Sequence, residues 1–305
     1  MSELQSCNAM EAVAAQHDLG NPDSYTKVTH NSGNDVFVGD EHVIKLYRPE
    51  KDAGSDKETD LCRALQGHLP TPEVTAAGSA GDQSYTVMKK LPGQALELTW
   101  KDTSEADQDT LFGRMGALLA AVHSVPVDKV ASVLDQPQMG ASEILRNRAA
   151  EALRVITAKR LLSPQTIGSL ESYLAEHIPA DGKNDVGLRH GCFRFGNILA
   201  EGTNITGLLD WEDASLGDTS EELSLTLYRT VPQAYRETFM KGYGAVLPSE
   251  HDTPNPVHPL LYYLQFMPDI PTWTQFPGKQ AYYQRETANI LRETIGEEDY
   301  LHNVA

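Results

Sequence analysis

Residues 190–197 read HGCFRFGN, and residues 205–212 read ITGLLDWE. Each stretch contains a short β-prone run, and the segment between the runs, EGTN at 201–204, is a Gly- and Asn-containing connection of the kind that closes a hairpin. The predicted hairpin carries Asn197 at its start and Asp210 at its end. The rest of the chain can be placed around this element.

An amide and a carboxylate in this arrangement suit a magnesium ion. Mg²⁺ prefers hard oxygen ligands and commonly takes only one or two of them from protein when nucleotide phosphates supply others. Asn197 and Asp210 are therefore candidate metal ligands. In kinase loops of the form H-x-D-x-x-x-x-N, the residue five positions before the Asn is a carboxylate that accepts the proton of the attacking hydroxyl. Cys192 holds that position here.

A second group of candidate residues lies in the first seventy residues. Alternating apolar residues predict a β-hairpin within Tyr25 to Leu46, and Lys45 lies in its second strand. Apolar residues at helical spacing then predict a helix from Asp56 to Leu69, with Glu58 near its start. A strand lysine followed by a helix glutamate is the pair by which kinases hold nucleotide phosphates. A solvated surface lysine is the alternative interpretation.

Two other segments offer backbone groups to a nucleotide. The small polar loop that contains Ser32 and Gly33 can present N–H groups to phosphate oxygens, with a plain turn as the alternative. A strand ending at Met88 runs into a punctuated connector in which Lys89 and Leu91 can offer N–H and C=O groups to an adenine edge. All five are candidate nucleotide-binding residues.

Composition narrows the class of partner. The 305 residues, 40% of them hydrophobic, are enough for one large domain or two lobes. The net charge of -18, from 25 Lys+Arg against 43 Asp+Glu, argues against nucleic acid or an anionic membrane as the main partner. It is compatible with a cationic small-molecule substrate, and a merely solubilising surface is the alternative.

The three cysteines, Cys7, Cys62 and Cys192, lack metal-type spacing and fit a reducing cytosol better than a disulfide scaffold. The first twenty residues lack a signal-type pattern, and no apolar run approaches the ~20 residues that span a bilayer. We therefore expect a cytoplasmic protein with no membrane partner. The sequence indicates no oligomeric state.

The central motifs resemble those of the aminoglycoside phosphotransferase family, which are small-molecule kinases. The resemblance is specific from His190 to Asp218, through HGCFRFGNIL, LLDWE and the final Gly-Asp, and moderate elsewhere. It implies an α+β, bilobal, protein-kinase-like fold with a small β-rich N-terminal lobe and a larger, mainly helical C-terminal lobe. We place the nucleotide-phosphate lobe at 1–91 and the lobe with the metal site and the acceptor site at 92–305.

The resemblance also implies roles and cofactors. Lys45 would hold the phosphates of ATP, Glu58 would orient that lysine, and Asn197 and Asp210 would bind Mg²⁺. Arg194 would offset charge that develops on the transferred phosphoryl group. Supporting roles fall to His190, Glu212 and Asp218.

Cys192 departs from the family, which has a catalytic aspartate at this position. A thiol with a pKa near ~8.5 is mostly neutral at pH 7, and nearby carboxylates and phosphates should raise that pKa. Loss of a general base typically costs ~10²- to 10⁴-fold in rate, whereas nucleotide binding need not suffer. The implied enzyme is therefore slow.

We expect an ATP-dependent O-phosphotransferase that acts on a hydroxyl of a polar, amine-bearing small molecule. The alternatives are a nucleotide-binding pseudokinase, an inactivated variant of an active kinase, and a metabolic enzyme resembling choline or amino-sugar kinases. No motif identifies the acceptor. The acidic residues that could contact it, by charge alone, are Glu221, Glu222, Glu237, Glu250 and Asp269.

Overall fold

The computed structural model describes residues 3–28, 33–48, 53–135, 137, 139–180, 186–247 and 254–296, with the backbone alone for residues 3, 4, 53 and 54. The chain divides into two compact units. The first consists of Met1–Gln136, Gly187–Leu216 and Thr230–Pro248, and the second of Pro137–Val186, Gly217–Arg229 and Ser249–Ala305.

Helices and strands follow in chain order. The helices are α1 (Glu3–Gln16), α2 (Ala53–Leu65), α3 (Leu96–Thr99), α4 (Glu105–His123), α5 (Val127–Val130), α6 (Ala141–Lys159), α7 (Pro164–His177), α8 (Thr219–Arg229), α9 (Arg236–Val246), α10 (Val257–Phe266) and α11 (Pro277–Ile295). The strands are β1 (Thr26–Lys27), β2 (Asp35–Val38), β3 (His42–Leu46), β4 (Val74–Ala80), β5 (Gln83–Lys89), β6 (Gln94–Ala95), β7 (Val186–Arg189), β8 (Ile198–Glu201), β9 (Asn204–Leu208) and β10 (Ser215–Asp218).

In the first unit, strands β1 to β5 form an antiparallel sheet in the order β1-β2-β3-β5-β4. The predicted hairpin at Tyr25 to Leu46 is confirmed, with β2 and β3 joined through Gly39 and Asp40. Strand β3 is the middle strand of this sheet, and its consecutive residues Ile44, Lys45 and Leu46 are all buried, so both of its faces are covered there. Ile44 and Leu46, on one face, are fully buried in a core formed with α1.

Alternation along a strand places Lys45 and Tyr47 on the face opposite Ile44 and Leu46. The helix α2 packs near this opposite face and contacts β4, β5 and the short 3-10 turn at Trp211–Asp213. The sheet therefore directs one lysine away from its apolar core and toward the 210–213 turn.

The first unit also contains the predicted central hairpin, formed by β8 and β9, and β6 extends it as a third strand. Helices α4 and α9 pack at very close range. A Cβ atom built on Gly116 would lie 2.0 Å from the carbonyl oxygen of Phe239, and one on Gly242 would lie 1.8 Å from that of Gly113. Only glycine permits this separation of the two helices.

The second unit is helical, and its core lies between α6, α7, α10 and α11. The side chain of Ser163 caps α7 by accepting a hydrogen bond from the backbone N–H of Thr166, as the Ser-Pro start of that segment predicts. Helix α10 supplies the largest share of fully buried residues to this core, among them Val257, Leu260 and Leu264.

The small antiparallel sheet and the mainly helical remainder confirm the predicted α+β class. The lobe boundary between residues 91 and 92 stays a prediction. The first compact unit extends past this boundary, to Gln136, and includes later segments of the chain. Across the part of the chain that the structure describes, none of the helices is long and apolar enough to cross a membrane.

Candidate active site

The ammonium group of Lys45 is the centre of a buried charge cluster in the first unit. Its Nζ lies 2.7 Å from Glu58 Oε2, 2.7 Å from Asp210 Oδ1 and 3.5 Å from Glu212 Oε2. Lys45 is only 4% exposed and Glu58 only 3%. The pairing of the strand lysine with the helix glutamate therefore exists in the structure, and the carboxylate of Asp210 joins it.

Burial alone would lower the pKa of Lys45, but the Glu58 and Asp210 carboxylates outweigh burial and raise that pKa above its usual value. The lysine therefore remains a cation. A buried cation of this kind is stable only while its partners hold it, because an unpaired buried charge is very costly. Lys45 is positioned to bring a permanent positive charge to an anionic ligand.

Both oxygens of the Glu58 carboxylate are occupied. Oε2 accepts hydrogen bonds from Lys45 Nζ and from the Tyr47 hydroxyl, the latter at 2.5 Å, and Oε1 accepts one at 3.2 Å from the backbone N–H of Trp211. Glu58 therefore connects strand β3, helix α2 and the turn that follows Asp210.

Asp210 has a left-handed backbone conformation, with φ 68° and ψ 64°. A residue other than glycine in this region costs on the order of 1–3 kcal/mol, and such strain persists where the surroundings hold it. The Asp210 carboxylate is bonded to Lys45, and the Asp210 side chain is nevertheless 25% exposed. The strained backbone thus presents one carboxylate to the buried lysine and to solvent at once.

Glu212 is held by the loop that precedes β2. Asn34, 2% exposed, donates a hydrogen bond of 2.5 Å from Nδ2 to Glu212 Oε2 and accepts one of 3.2 Å through Oδ1 from the backbone N–H of Arg48. Ligand oxygens of Glu58, Asp210 and Glu212 all lie within 4.8 Å of one another. Three carboxylates around one ammonium leave an excess of negative charge that attracts a further cation.

Asn197 is buried and its amide is oriented by Cys192. Nδ2 donates a hydrogen bond of 2.9 Å to the Cys192 carbonyl oxygen, and the Asn197 side chain also hydrogen-bonds the Cys192 thiol. With the amide nitrogen so engaged, Oδ1 is the atom that remains to accept or to ligate. The backbone carbonyl of Asn197 accepts a hydrogen bond from the N–H of Leu209, which ties the residue to the neighbour of Asp210.

The loop before Asn197 is fixed by a histidine and a glycine. His190 is fully buried, its Nε2 lies 2.9 Å from the carbonyl oxygen of Leu209, and its Nδ1 lies 3.2 Å from the backbone nitrogen of Cys192. Gly191 has φ +85°, and a Cβ atom there would lie 2.3 Å from the carbonyl oxygen of Asp213. These contacts agree with the holding role that the resemblance implies for His190.

The Cys192 thiol is half-buried, and burial, followed by the Asp210 and Asp213 carboxylates, raises its pKa despite the opposing effect of Arg194. The predicted direction of this shift is confirmed, although burial rather than charge is its largest cause. The Arg194 side chain is exposed. A thiol with a raised pKa keeps its proton at neutral pH, and its equivalence to the family's aspartate stays a prediction.

The connector after β5 has little free hydrogen-bonding capacity at its start. The backbone N–H of Lys89 donates to the carbonyl of Glu73, and that of Lys90 donates to the carbonyl of Glu41, both at 2.8 Å. The Lys89 ammonium forms an exposed ion pair with Glu73 at 2.8 Å. Within the described residues, no acceptor is found for the N–H of Leu91.

Three candidates for nucleotide binding remain. Met88, 6% exposed, is the last buried residue of β5. Gly33 is half-buried at the start of the segment that leads to Asn34. Ser32 lies outside the described residues.

The acidic candidates for acceptor binding do not form one group. Glu221 pairs with Arg148 at 2.5 Å and Glu222 is 7% exposed, both in the second unit, whereas Glu237 in the first unit pairs with Lys241 at 2.9 Å. Asp269 is exposed, and Glu250 lies outside the described residues. Their role stays a prediction.

Asp218 lies in the second unit rather than in the unit that contains Lys45. Burial would raise its pKa, but hydrogen bonds with His258 and Ser220 lower it. Its carboxylate Oδ2 lies 3.5 Å from His258 Nε2, and Oδ1 accepts a hydrogen bond of 3.0 Å from the backbone N–H of Ser220.

Sequence reasoning did not find Asn34 and Tyr47. Asn34 follows Ser32 and Gly33, which are candidates only for their backbone N–H groups. Tyr47 is a β-prone residue at the end of a predicted strand. For Tyr47 a signal was available, because period-two alternation puts it on the face of Lys45. The contact between Asn34 and Glu212 joins residues 178 positions apart, and no local pattern predicts it.

The chain is similar to known proteins in family and in fold. The model of the phosphotransferase enzyme family matches residues 24–256. The chain therefore belongs to this family of phosphotransferases, and the predicted membership is confirmed. A comparison with curated proteins gives no match.

Solved structures show the same fold. The GDP complex of wild-type aminoglycoside 2'-phosphotransferase-IIIa is 17% identical with a TM-score of 0.71, covering 99% of this chain and 100% of that one. The streptomycin-ATP-APH(2")-IIa ternary complex is 16% identical with a TM-score of 0.64, covering 95% and 96%. The apoenzyme of macrolide 2'-phosphotransferase MphH from Brachybacterium faecium is 19% identical with a TM-score of 0.63, covering 93% and 98%.

These similarities confirm the predicted kinase-like fold of the chain. At identities of this level the similarity concerns the fold alone. What the site binds and transfers has to be argued from the residues that this chain carries.

Proposed function

We propose that the protein is a nucleoside-triphosphate- and Mg²⁺-dependent O-phosphotransferase that acts slowly on a hydroxyl of a polar, amine-bearing small molecule. The observation that carries the proposal is the buried Lys45 ammonium, bonded at 2.7 Å to both Glu58 and Asp210. A structural ion pair needs no third charged partner and no strained backbone. This cluster has both, together with a carboxylate that remains partly exposed.

The donor set fits a magnesium ion. Asp210 presents a carboxylate with 25% exposure, and Asn197 has an amide whose nitrogen is committed to Cys192, which leaves its oxygen for a cation. Both are hard oxygen donors of the kind that Mg²⁺ takes from protein, with phosphate oxygens and water completing the shell. The ion would supply charge neutralisation between the phosphates during transfer. Asn197 and Asp210 would hold it.

The nucleotide is bound by groups that the first unit already positions. Lys45 pairs with the phosphates through its permanent charge, and Glu58 keeps that charge in place. Leu91 offers a connector N–H for which the described residues provide no acceptor, whereas those of Lys89 and Lys90 are donated internally. This arrangement suits the edge of a purine. Structures of similar fold contain GDP or ATP, so either nucleotide is a candidate donor.

For the acceptor, charge supports an amine-bearing molecule. The chain has a net charge of -18, and similar structures contain streptomycin, kanamycin and gentamicin. A cationic acceptor would be attracted by the excess of carboxylates, and this attraction weakens with salt. Arg194, exposed beside the thiol, would face the phosphoryl group and offset its charge during transfer.

A second candidate function, that of a nucleotide-binding protein without turnover, is favoured by one observation. The pKa of the Cys192 thiol is raised, mainly by burial, so the thiol cannot accept the acceptor proton at neutral pH. Phosphoryl transfer depends mostly on positioning and charge stabilisation, so loss of the base slows the reaction without removing it. We therefore place slow transfer ahead of pure binding.

The proposal is tested by product formation. The protein and its Cys192→Asp variant are incubated with Mg-ATP or Mg-GTP and a panel of aminoglycosides, aminocyclitols, choline and amino sugars, and products are identified by mass spectrometry. We expect slow phosphorylation of an amine-bearing acceptor by the natural chain and faster phosphorylation by the variant. Turnover by the variant alone would favour the binding function, and phosphorylation of neutral acceptors only would contradict the proposed acceptor class.

A further inference from the structure

The Glu58 carboxylate makes more contacts than a lysine partner requires. In the described part of the chain it accepts hydrogen bonds from Lys45, Tyr47 and the N–H of Trp211. The Tyr47 hydroxyl and the Lys45 ammonium donate to the same oxygen, Oε2, at 2.5 and 2.7 Å. A phenol and an ammonium that share one acceptor oxygen fix that oxygen from two directions.

Tyr47 is itself held rigidly. It is fully buried, and its hydroxyl accepts a hydrogen bond of 3.4 Å from Thr86, whose own hydroxyl lies 2.8 Å from that of Thr59 on helix α2. Its backbone carbonyl accepts a hydrogen bond of 3.2 Å from Gln83. Burial, and after it the Glu58 carboxylate, raise the pKa of the hydroxyl well above its usual value, so it always acts as a donor.

We propose that Tyr47 is a positioning residue of the nucleotide site: its hydroxyl holds the Glu58 carboxylate in place while the Lys45 ammonium is shared with the phosphates of the nucleotide. This inference rests on the proposed function. When phosphate oxygens draw the ammonium away, Glu58 loses part of its bond to Lys45. The donor from Tyr47 stays, and Glu58 keeps both its orientation toward the lysine and its bond to the Trp211 backbone beside Asp210.

The geometry also explains why a tyrosine is present at this position. The ring lies 5.1 Å from Lys45 Nζ, measured to the ring centroid, so the face of the ring covers the cation while its hydroxyl bonds the anion. A phenylalanine would keep the ring and lose the bond to Glu58 together with the longer bond that the hydroxyl accepts from Thr86. Tyr47→Phe therefore removes the hydroxyl contacts and leaves the packing of the ring in place.

The experiment is a calorimetric titration of the full chain with Mg-ATP. We expect Tyr47→Phe to bind about tenfold more weakly than the natural chain, because Glu58 would lose its remaining side-chain donor when the Lys45 ammonium is shared with the phosphates. Tyr85→Phe is the matched control, because Tyr85 is also buried but its hydroxyl bonds Gln16, the last residue of helix α1, and His17, which follows it. We expect this control to bind as the natural chain does.

A double-mutant cycle separates positioning from general loss of structure. If Tyr47 acts through the carboxylate, Tyr47→Phe costs little further affinity in a Glu58→Ala background. Losses that simply add, or an affinity of Tyr47→Phe equal to that of the natural chain, would overturn the inference. If Tyr47→Phe does not fold, Thr86→Val decides instead: about twofold to threefold weaker binding supports the inference, and unchanged binding overturns it.

Failure of the proposed function gives a different result. In that case the natural chain and the Tyr85→Phe control bind neither Mg-ATP nor Mg-GTP, and this inference falls together with the proposed function. A natural chain that binds, with a Tyr47→Phe variant that binds equally well, leaves the proposed function intact and overturns only the role of Tyr47.

Discussion

The two halves of the candidate site differ in how completely they are built. On the proposed nucleotide side, Lys45 and Glu58 are almost fully buried, and the Lys45 ammonium lies 2.7 Å from the carboxylates of both Glu58 and Asp210. On the proposed acceptor side, Arg194 is exposed and Cys192 is a half-buried thiol whose pKa is raised, mainly by burial. The difference suggests that nucleotide binding and proton removal can be tested separately, because the Lys45 cluster is fully formed in a chain that has a thiol at position 192.

The sharpest way to test this difference is to introduce a carboxylate at position 192. We expect Cys192→Asp to raise kcat by ~10²- to 10⁴-fold, the usual contribution of a general base, while the KM for the nucleotide stays unchanged. Steady-state kinetics with the acceptor found in the product screen measures both. Cys192→Asn is the matched control, because it has the size of Asp without a basic group, and it should bring no gain. An equal gain in both variants would show that the thiol obstructs the site rather than failing as a base.

The proposed nucleotide half is tested by removing the positive charge of Lys45. We expect Lys45→Met to weaken Mg-nucleotide binding by about 100-fold, since breaking a buried ion pair costs several kcal/mol and leaves carboxylates to repel one another. Calorimetric titration measures the change. The control is Lys241→Met, because Lys241 forms only an exposed pair with Glu237, and exposed pairs contribute little. Nucleotide affinity preserved in Lys45→Met would contradict the central role of this lysine.

The loop that carries Cys192 is tested through Gly191. A Cβ atom there meets the Asp213 carbonyl at 2.3 Å and the backbone has φ +85°, whereas at Gly202, with φ +57°, the space is open. We expect Gly202→Ala to cost about 1 kcal/mol of the free energy of unfolding and Gly191→Ala at least about 2 kcal/mol more, because the loop must shift. Urea denaturation compares the two variants, and equal costs would show that the contact with Asp213 relaxes freely.

The smallest expected effect concerns the reactivity of Cys192 with pH. Because its pKa is raised in the folded protein, the thiol keeps its proton to a higher pH than in the unfolded chain. Iodoacetamide should therefore label Cys192 several-fold more slowly at pH 8 in the folded protein than in urea, with a rate that keeps rising where the unfolded thiol has levelled off. Mass spectrometry follows the labelled peptide. Faster labelling in the folded protein would mean an activated thiolate and would contradict our account of the acceptor half.

Much of the fold and part of the site could be predicted from the sequence, because short-range patterns encode them. The hairpin ends at Asn197 and Asp210, and the pairing of Lys45 with Glu58, follow from strand and helix periodicity together with the motif spacing. Helix α10 has no clear local signal, because Pro259 lies close to its start at Val257 and prolines are typical of loops. A proline is tolerated in the first turn, where its missing N–H is not needed.

Other features depend on contacts between distant residues, and no local pattern predicts them. The bond from Asn34 to Glu212 and the convergence of Asp210 on Lys45 join segments more than 160 positions apart. The strained backbone of Asp210 is likewise a product of its surroundings. The binding roles of Met88, Lys89 and Leu91 stay predictions until a nucleotide is bound.

The central claim is that the cluster around Lys45 is a site for a magnesium nucleotide. Thermal unfolding of the natural chain with saturating Mg-ATP or Mg-GTP, beside Asp210→Asn, tests it most directly. We predict stabilisation of the natural chain, by about 2.7 kcal/mol when the nucleotide is at 100 times its Kd, and a clearly smaller effect in Asp210→Asn. An unchanged melting temperature of the natural chain with both nucleotides, or an equal shift in the two proteins, would contradict the claim.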